Sequence, residues 1–163
     1  MANSTTQKTA LITGGSSGIG RATALTLAGA GYQVAVCGRR LQALEETIEM
    51  GSGLPGKIIA SAADVSDPAS VEAMFADLKA RLPRLDVLFN NAGVSGRATN
   101  FGDLTFEDWR KVMDINLDGM FLVANQAYRW MRDQDPQGGR IVNNGSISAY
   151  VPRPGSASYT ASK

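Results

Sequence analysis

Short apolar runs and longer helical periods take turns along this chain. "TALITGG" (9–15) is an uninterrupted strand-type run closed by two glycines, which predicts a strand and a tight turn. In "GIGRATALTLAGAG" (18–31), Ile19, Ala22, Leu25 and Ala28 or Gly29 recur near helical spacing, and Gly31 is a stop signal. The same alternation repeats downstream. "QVAVCG" (33–38), "KIIASAAD" (57–64), "LDVLFNNAG" (85–93) and "GGRIVNNGSIS" (138–148) read as strands. Between them lie "LQALEETIEMG" (41–51), a helix ended by Gly51, and "VEAMFADLKARL" (71–82), where Ser66 or Asp67 can cap and Pro68 opens the helix. A single long helical pattern spans 104–133, with Thr105 and Asp108 fitting a capping box, and "SASYTASK" (156–163) begins another helix.

Strict strand-helix alternation predicts an α/β fold, a doubly wound parallel sheet with right-handed crossovers and helices on both faces. The fourth strand shows little polar-apolar alternation, as expected where both faces are covered. No repeat or linker interrupts the pattern, so residues 1–163 are expected to form one domain. A ligand in such a fold lies beyond the carboxyl ends of the strands.

Composition changes the picture by exclusion. With 44% apolar and 19% charged residues, the chain has a globular rather than a disordered balance. The net charge of +1 gives no bulk field for nucleic acid or an anionic membrane, so neither is an expected partner. Cys37 is the only cysteine, which rules out an intrachain disulfide and favours a reducing compartment; within "VAVC" it reads as a small buried hydrophobe rather than a reactive thiol. The polar start "MANSTTQKT" has no apolar h-region, and the chain is expected to be cytoplasmic. With no histidine, a Ser-His-Asp hydrolase and a His-ligated zinc site are excluded from these residues, and no metal site is expected.

The candidate chemistry begins at "TGGSSGIG" (13–20), on the first strand-turn-helix. Gly14 permits the sharp turn, Gly18 lets a pyrophosphate approach the backbone, and Gly20 lets the helix pack closely. The helix N-terminus offers N–H groups and partial positive charge to phosphate. The spacing is Gly-x-x-x-Gly-x-Gly. On this motif the chain resembles the short-chain dehydrogenase/reductase family, in its single-domain branch. Three further matches carry the resemblance: "NNAG" (90–93), a serine at the end of the fifth strand, and Tyr-x-x-x-Lys at 159–163.

The resemblance implies a Rossmann-like sheet of strand order 3-2-1-4-5 that lacks the family's C-terminal strands. It implies a nicotinamide dinucleotide contacted by Gly14, Ser16, Ser17, Gly18, Ile19 and Gly20. Asp64 and Val65 stand where relatives contact adenine, and Asn90, Ala92 and Gly93 where they pass the adenosine end. In "CGRR" (37–40), Gly38 stands where an acid would hold a 2′-hydroxyl, and Arg39 and Arg40 follow; an arginine there accommodates a 2′-phosphate. Two solvated arginines at a helix start are the plainer alternative. Ser17 stands where many NADP-dependent relatives carry a second basic residue. NADP is favoured over NAD.

Tyr159 and Lys163, four apart on a helix, emerge on one face, and an ammonium beside a phenol favours the phenolate. By resemblance Tyr159 is the general acid/base, Lys163 also bonds the nicotinamide ribose, Ser146 (thirteen residues before Tyr159) polarises the substrate carbonyl, and Asn116 holds a water linking the lysine to solvent. The implied reaction is hydride transfer between nicotinamide and a carbonyl or secondary-alcohol substrate, by a homodimeric or homotetrameric parent. Relatives continue beyond Lys163 with two strands, a nicotinamide-gripping turn and a substrate loop, so a longer parent is expected. The alternative is a non-catalytic nucleotide-binding module or an inactive fragment.

Overall fold

The computed structural model describes residues 7–163. The stretch 1–6, part of the polar start read above, lies outside the described residues. Five parallel strands, β1 (Thr9–Thr13), β2 (Gln33–Gly38), β3 (Ile58–Ala62), β4 (Val87–Asn90) and β5 (Arg140–Asn143), lie in the order β3-β2-β1-β4-β5. In register, Leu11 stands beside Ala35 on one side and Leu88 on the other, and Phe89 beside Val142.

Each strand feeds both faces of the sheet. Ala10, Ile12, Val34 and Val36 meet Ala24 and Ala28 of α1 (Gly18–Gly29) and Leu44 of α2 (Leu41–Met50). The intervening Leu11, Ala35 and Cys37 meet Phe75 and Leu78 of α3 (Pro68–Arg81) and Val123 and Ala127 of α5 (Gly119–Asp133). Adjacent strand residues point to opposite faces, and both are apolar here, so no alternation is visible in the sequence. On the α3/α5 side Phe75 and Trp130 meet edge to face, with ring centroids 6.3 Å apart.

Local chemistry sets the element ends. Asp67 caps α3 by accepting from Ala69 N (3.1 Å), with Pro68 at its first turn. Thr105 caps α4 (Phe106–Met113) by accepting from Asp108 N (3.1 Å). Gly51 closes α2 at φ −90°, so its glycine is needed for space: a Cβ there would lie 2.6 Å from Ile58 Cδ1.

The long pattern 104–133 is not one regular helix. Between α4 and α5 a π-helical turn occupies Asp114–Asp118. Arg110, in α4, pairs with Asp114 and, at 3.0 Å, with Asp118, spanning that turn. Gly119 follows it, and a Cβ there would lie 3.0 Å from both Val65 Cγ2 and Val65 O, so the turn brings the helix close to the end of β3. The last helix, α6 (Ala157–Ala161), is short.

Candidate functional site

The glycine loop is held by geometry that its glycines alone allow. Gly14 (φ +69°) and Gly18 (φ +52°) occupy the left-handed region. Gly20 abuts the loop itself: a Cβ would overlap Gly14 O and lie 2.8 Å from Asn91 Nδ2. Ser17 caps α1 without a side-chain hydrogen bond, and the first turn of α1 carries no acid, so its N–H groups face the loop uncountered. Gly15 N donates to Cys37 O (3.1 Å), laying the loop across the end of β2.

At that end, Gly38 has space beside it, with Ser16 Oγ 3.7 Å from its Cβ position, and Arg39 and Arg40 follow. Asp64 Oδ1 accepts from Ser66 Oγ (2.7 Å) and Ser66 N (3.0 Å). The Ser66 hydroxyl, its N–H and the positive charge of Arg39 hold the carboxyl below its ordinary range, against a smaller desolvation effect. Burial, with a minor push from Asp64, drives the Cys37 thiol up to about 12, so it is a neutral core side chain.

Beyond β4, the asparagines brace the strand ends. Asn90 is buried; its Nδ2 donates to Met120 O (2.7 Å). Asn91 Nδ2 donates to Thr13 O (3.0 Å), and Thr13 Oγ1 accepts from the N–H groups of Asn91 and Ala92, both at 2.9 Å. Asn144 Nδ2 donates in turn to Asn91 Oδ1 (2.9 Å).

Of the remaining candidates, Asn116 and Lys163 converge on Gly93. A Cβ there would lie 3.2 Å from Asn116 Oδ1 and 3.5 Å from Lys163 Nζ. Asn116, fully buried in the π turn, accepts from Val94 N (2.8 Å) and donates to Val94 O and Ser162 Oγ (both 2.9 Å). Both N–H donors of its amide are thus engaged by protein partners. Lys163 Nζ donates to Asn144 O (3.0 Å) and lies 5.9 Å from the Tyr159 ring centroid. Ser146 Oγ accepts from Ser148 N (3.1 Å), which leaves its own proton to donate. The Ser148 hydroxyl is buried without a partner.

A cleft of about 480 Å³ runs over the strand ends, lined by Gly14, Ser16, Ser17, Gly18, Ile19, Arg39, Arg40, Asp64, Val65, Ala92 and Gly93. The structure therefore brings together eleven of the fifteen positions expected to meet a dinucleotide. Gly20 and Asn90 lie behind that wall, and Ser146, Tyr159 and Lys163 are outside it; of these three, Lys163 adjoins it at Gly93. The wall also includes Gly38, Ala63, Asn91, Val94 and Ile115, which sequence reasoning did not select as site residues. Asn91 had a signal, as the second residue of the "NNAG" turn; Ile115 had none, because the π turn that presents it was not foreseen. Among the described residues, no helix is long and apolar enough to cross a membrane.

Residues 8–163 match the family model described as short chain dehydrogenase. A short chain dehydrogenase/reductase of Macrophomina phaseolina is 38% identical over 87% of the chain and 82% of its own length. The cyclohexanol dehydrogenase of an Acinetobacter species is 34% identical over 100% of the chain but 64% of its own length. Among solved structures, NAD⁺-bound xylitol dehydrogenase superposes with a TM-score of 0.91 at 32% identity, covering 96% of the chain and 59% of that protein. An alcohol dehydrogenase of Thermococcus sibiricus, complexed with 5-hydroxy-NADP, gives 0.88 at 27% identity, over 96% and 65%. The chain thus spans about three-fifths of the length of several proteins it matches.

Proposed function

The chain belongs to the short-chain dehydrogenase/reductase family, and from that premise we propose that the protein is an NADP-dependent oxidoreductase acting on a carbonyl or secondary-alcohol substrate, with Tyr159 as general acid/base. The observation that carries the reading is the convergence of Asn116 and Lys163 on Gly93, at the rim of the glycine-loop cleft.

The residues present fit a phosphorylated dinucleotide. Two left-handed glycines and an uncapped helix start offer backbone N–H groups to a pyrophosphate. Arg39 and Arg40 line the same cleft beside Gly38, a position with no carboxylate of its own, and offer guanidinium groups to a 2′-phosphate, with Asp64 also in the lining. When bound, the nicotinamide gives or takes the hydride.

The protein's part is to manage the proton and the oxygen. In reduction, Tyr159 passes its phenolic proton to the substrate oxygen as the carbonyl becomes an alcohol; in oxidation it takes that proton back. Ser146, its lone pair already bonded to Ser148 N, donates to the same oxygen and stabilises the charge that develops there. The Lys163 ammonium, beside the Tyr159 ring, is held there by its donation to Asn144 O (3.0 Å). Asn116 ties the segment at Val94 to Ser162, next to Lys163, and so fixes the lysine's helix against the cleft. The protein acts as a homo-oligomer.

Tyr159→Phe removes the proton and little else. The expected result, with an NADPH-linked carbonyl panel, is a kcat lower by about 10²–10⁴-fold with NADPH binding retained. Turnover that survives the change removes Tyr159 from the mechanism. A wild-type protein that binds NADPH but turns over no carbonyl or alcohol supports a binding module instead.

A further inference from the structure

A part-buried clasp behind the glycine loop holds two of its backbone carbonyls. Arg21, in the first turn of α1, reaches across to α2. Its Nη2 donates to Ser16 O (2.6 Å) and Ala43 O (3.3 Å) and pairs with Glu46 Oε2 (3.0 Å), while Nε donates to Thr47 Oγ1 (3.0 Å). Thr47 is fully buried, and its hydroxyl proton is shared between Gly15 O (3.0 Å) and Ala43 O (3.2 Å). Two consecutive loop carbonyls, Gly15 and Ser16, are therefore drawn towards α2.

In a trans peptide the N–H points opposite to the C=O of the same unit. The Gly15 carbonyl shares its unit with Ser16 N–H, and the Ser16 carbonyl shares its unit with Ser17 N–H. Drawing both carbonyls to α2 turns both N–H groups away from it, on the side where Ser16 and Ser17 line the cleft. Neither N–H donates to a protein acceptor among the described residues. Backbone donors left without a partner call for water or a ligand. The Ser16 side chain lies against the position of Gly38, and Arg39 lines the same cleft as Ser16 and Ser17.

We propose that Arg21 and Thr47 are positioning residues for cofactor discrimination: they hold the Ser16 and Ser17 N–H groups towards the 2′-phosphate of NADP, alongside Arg39. The inference rests on the NADP reading above. It adds that the preference is set from behind the loop, by two side chains that do not line the cleft.

The test compares 2′,5′-ADP with 5′-AMP by calorimetric titration, since the two differ only in that phosphate. Thr47→Val removes both roles of the hydroxyl at nearly constant volume, Thr47→Ser restores them, and Arg21→Lys keeps the charge without the fork. Thr47→Val and Arg21→Lys are each expected to weaken 2′,5′-ADP about tenfold, to leave 5′-AMP within about twofold, and to keep the wild-type circular dichroism spectrum; Thr47→Ser retains wild-type binding. If Thr47→Val folds and keeps the full preference, or loses both ligands equally, the clasp has no positioning role. A wild type that does not favour 2′,5′-ADP overturns the NADP reading, and this inference with it.

Discussion

Asp64 ends the β3 segment with a carboxylate whose charge is favoured first by the Ser66 hydroxyl, then by its N–H, and by Arg39. A carboxyl held low in the folded state stabilises the fold above the ordinary carboxylate pKa of about 3.9, and that contribution disappears as pH falls through the lowered value. Asp64→Asn is accordingly expected to lower the urea midpoint at about pH 7, and the gap from wild type to close as the pH is taken below the ordinary carboxylate range. A gap that persists in acid assigns the effect to packing instead. At this scale the sequence was a good guide to chemistry and a poorer one to partners. Cys37 was legible as a core hydrophobe from "VAVC" alone. Arg21 and Thr47 were not legible, because they lie 26 residues apart in sequence and only the fold brings them together.

The elements were legible where periodicity and punctuation agreed, as in β1 to α1 and in α3, with its Asp67 cap and Pro68. The long pattern over 104–133 misled for a physical reason. Asp114 to Asp118 contain neither glycine nor proline, and the extra residue of a π turn is stabilised by tertiary partners that periodicity cannot register. Those partners are Val94 and Ser162 on Asn116, and Val65 against Gly119. Asn116→Ala leaves the N–H and C=O of Val94 and the Ser162 hydroxyl without that partner. The expected cost is about 2–4 kcal/mol in urea or thermal unfolding. A variant with wild-type stability shows that the amide does not pin the turn.

For the molecule as a whole, strand order followed from the resemblance, while the surface did not. Leu117, Phe121 and Tyr128 are 48%, 65% and 59% exposed along the outer side of the π turn and α5, at spacings of four and seven residues. Such a stripe suits burial between subunits. Phe121→Lys is expected to shift sedimentation of the assembled protein towards monomer without loss of helicity, and an unchanged sedimentation coefficient excludes this face from assembly. Finally, the sheet has a consequence for how the chain is made. β1 leaves the ribosome first yet ends up central, flanked by β2 soon afterwards and by β4 only 77 residues later, where Asp86 accepts from Thr9 N. Until that late partner is synthesised, a strand that ends up wholly buried carries a bare hydrogen-bonding edge, and nascent chains halted before it are the ones most exposed to aggregation and to chaperone capture.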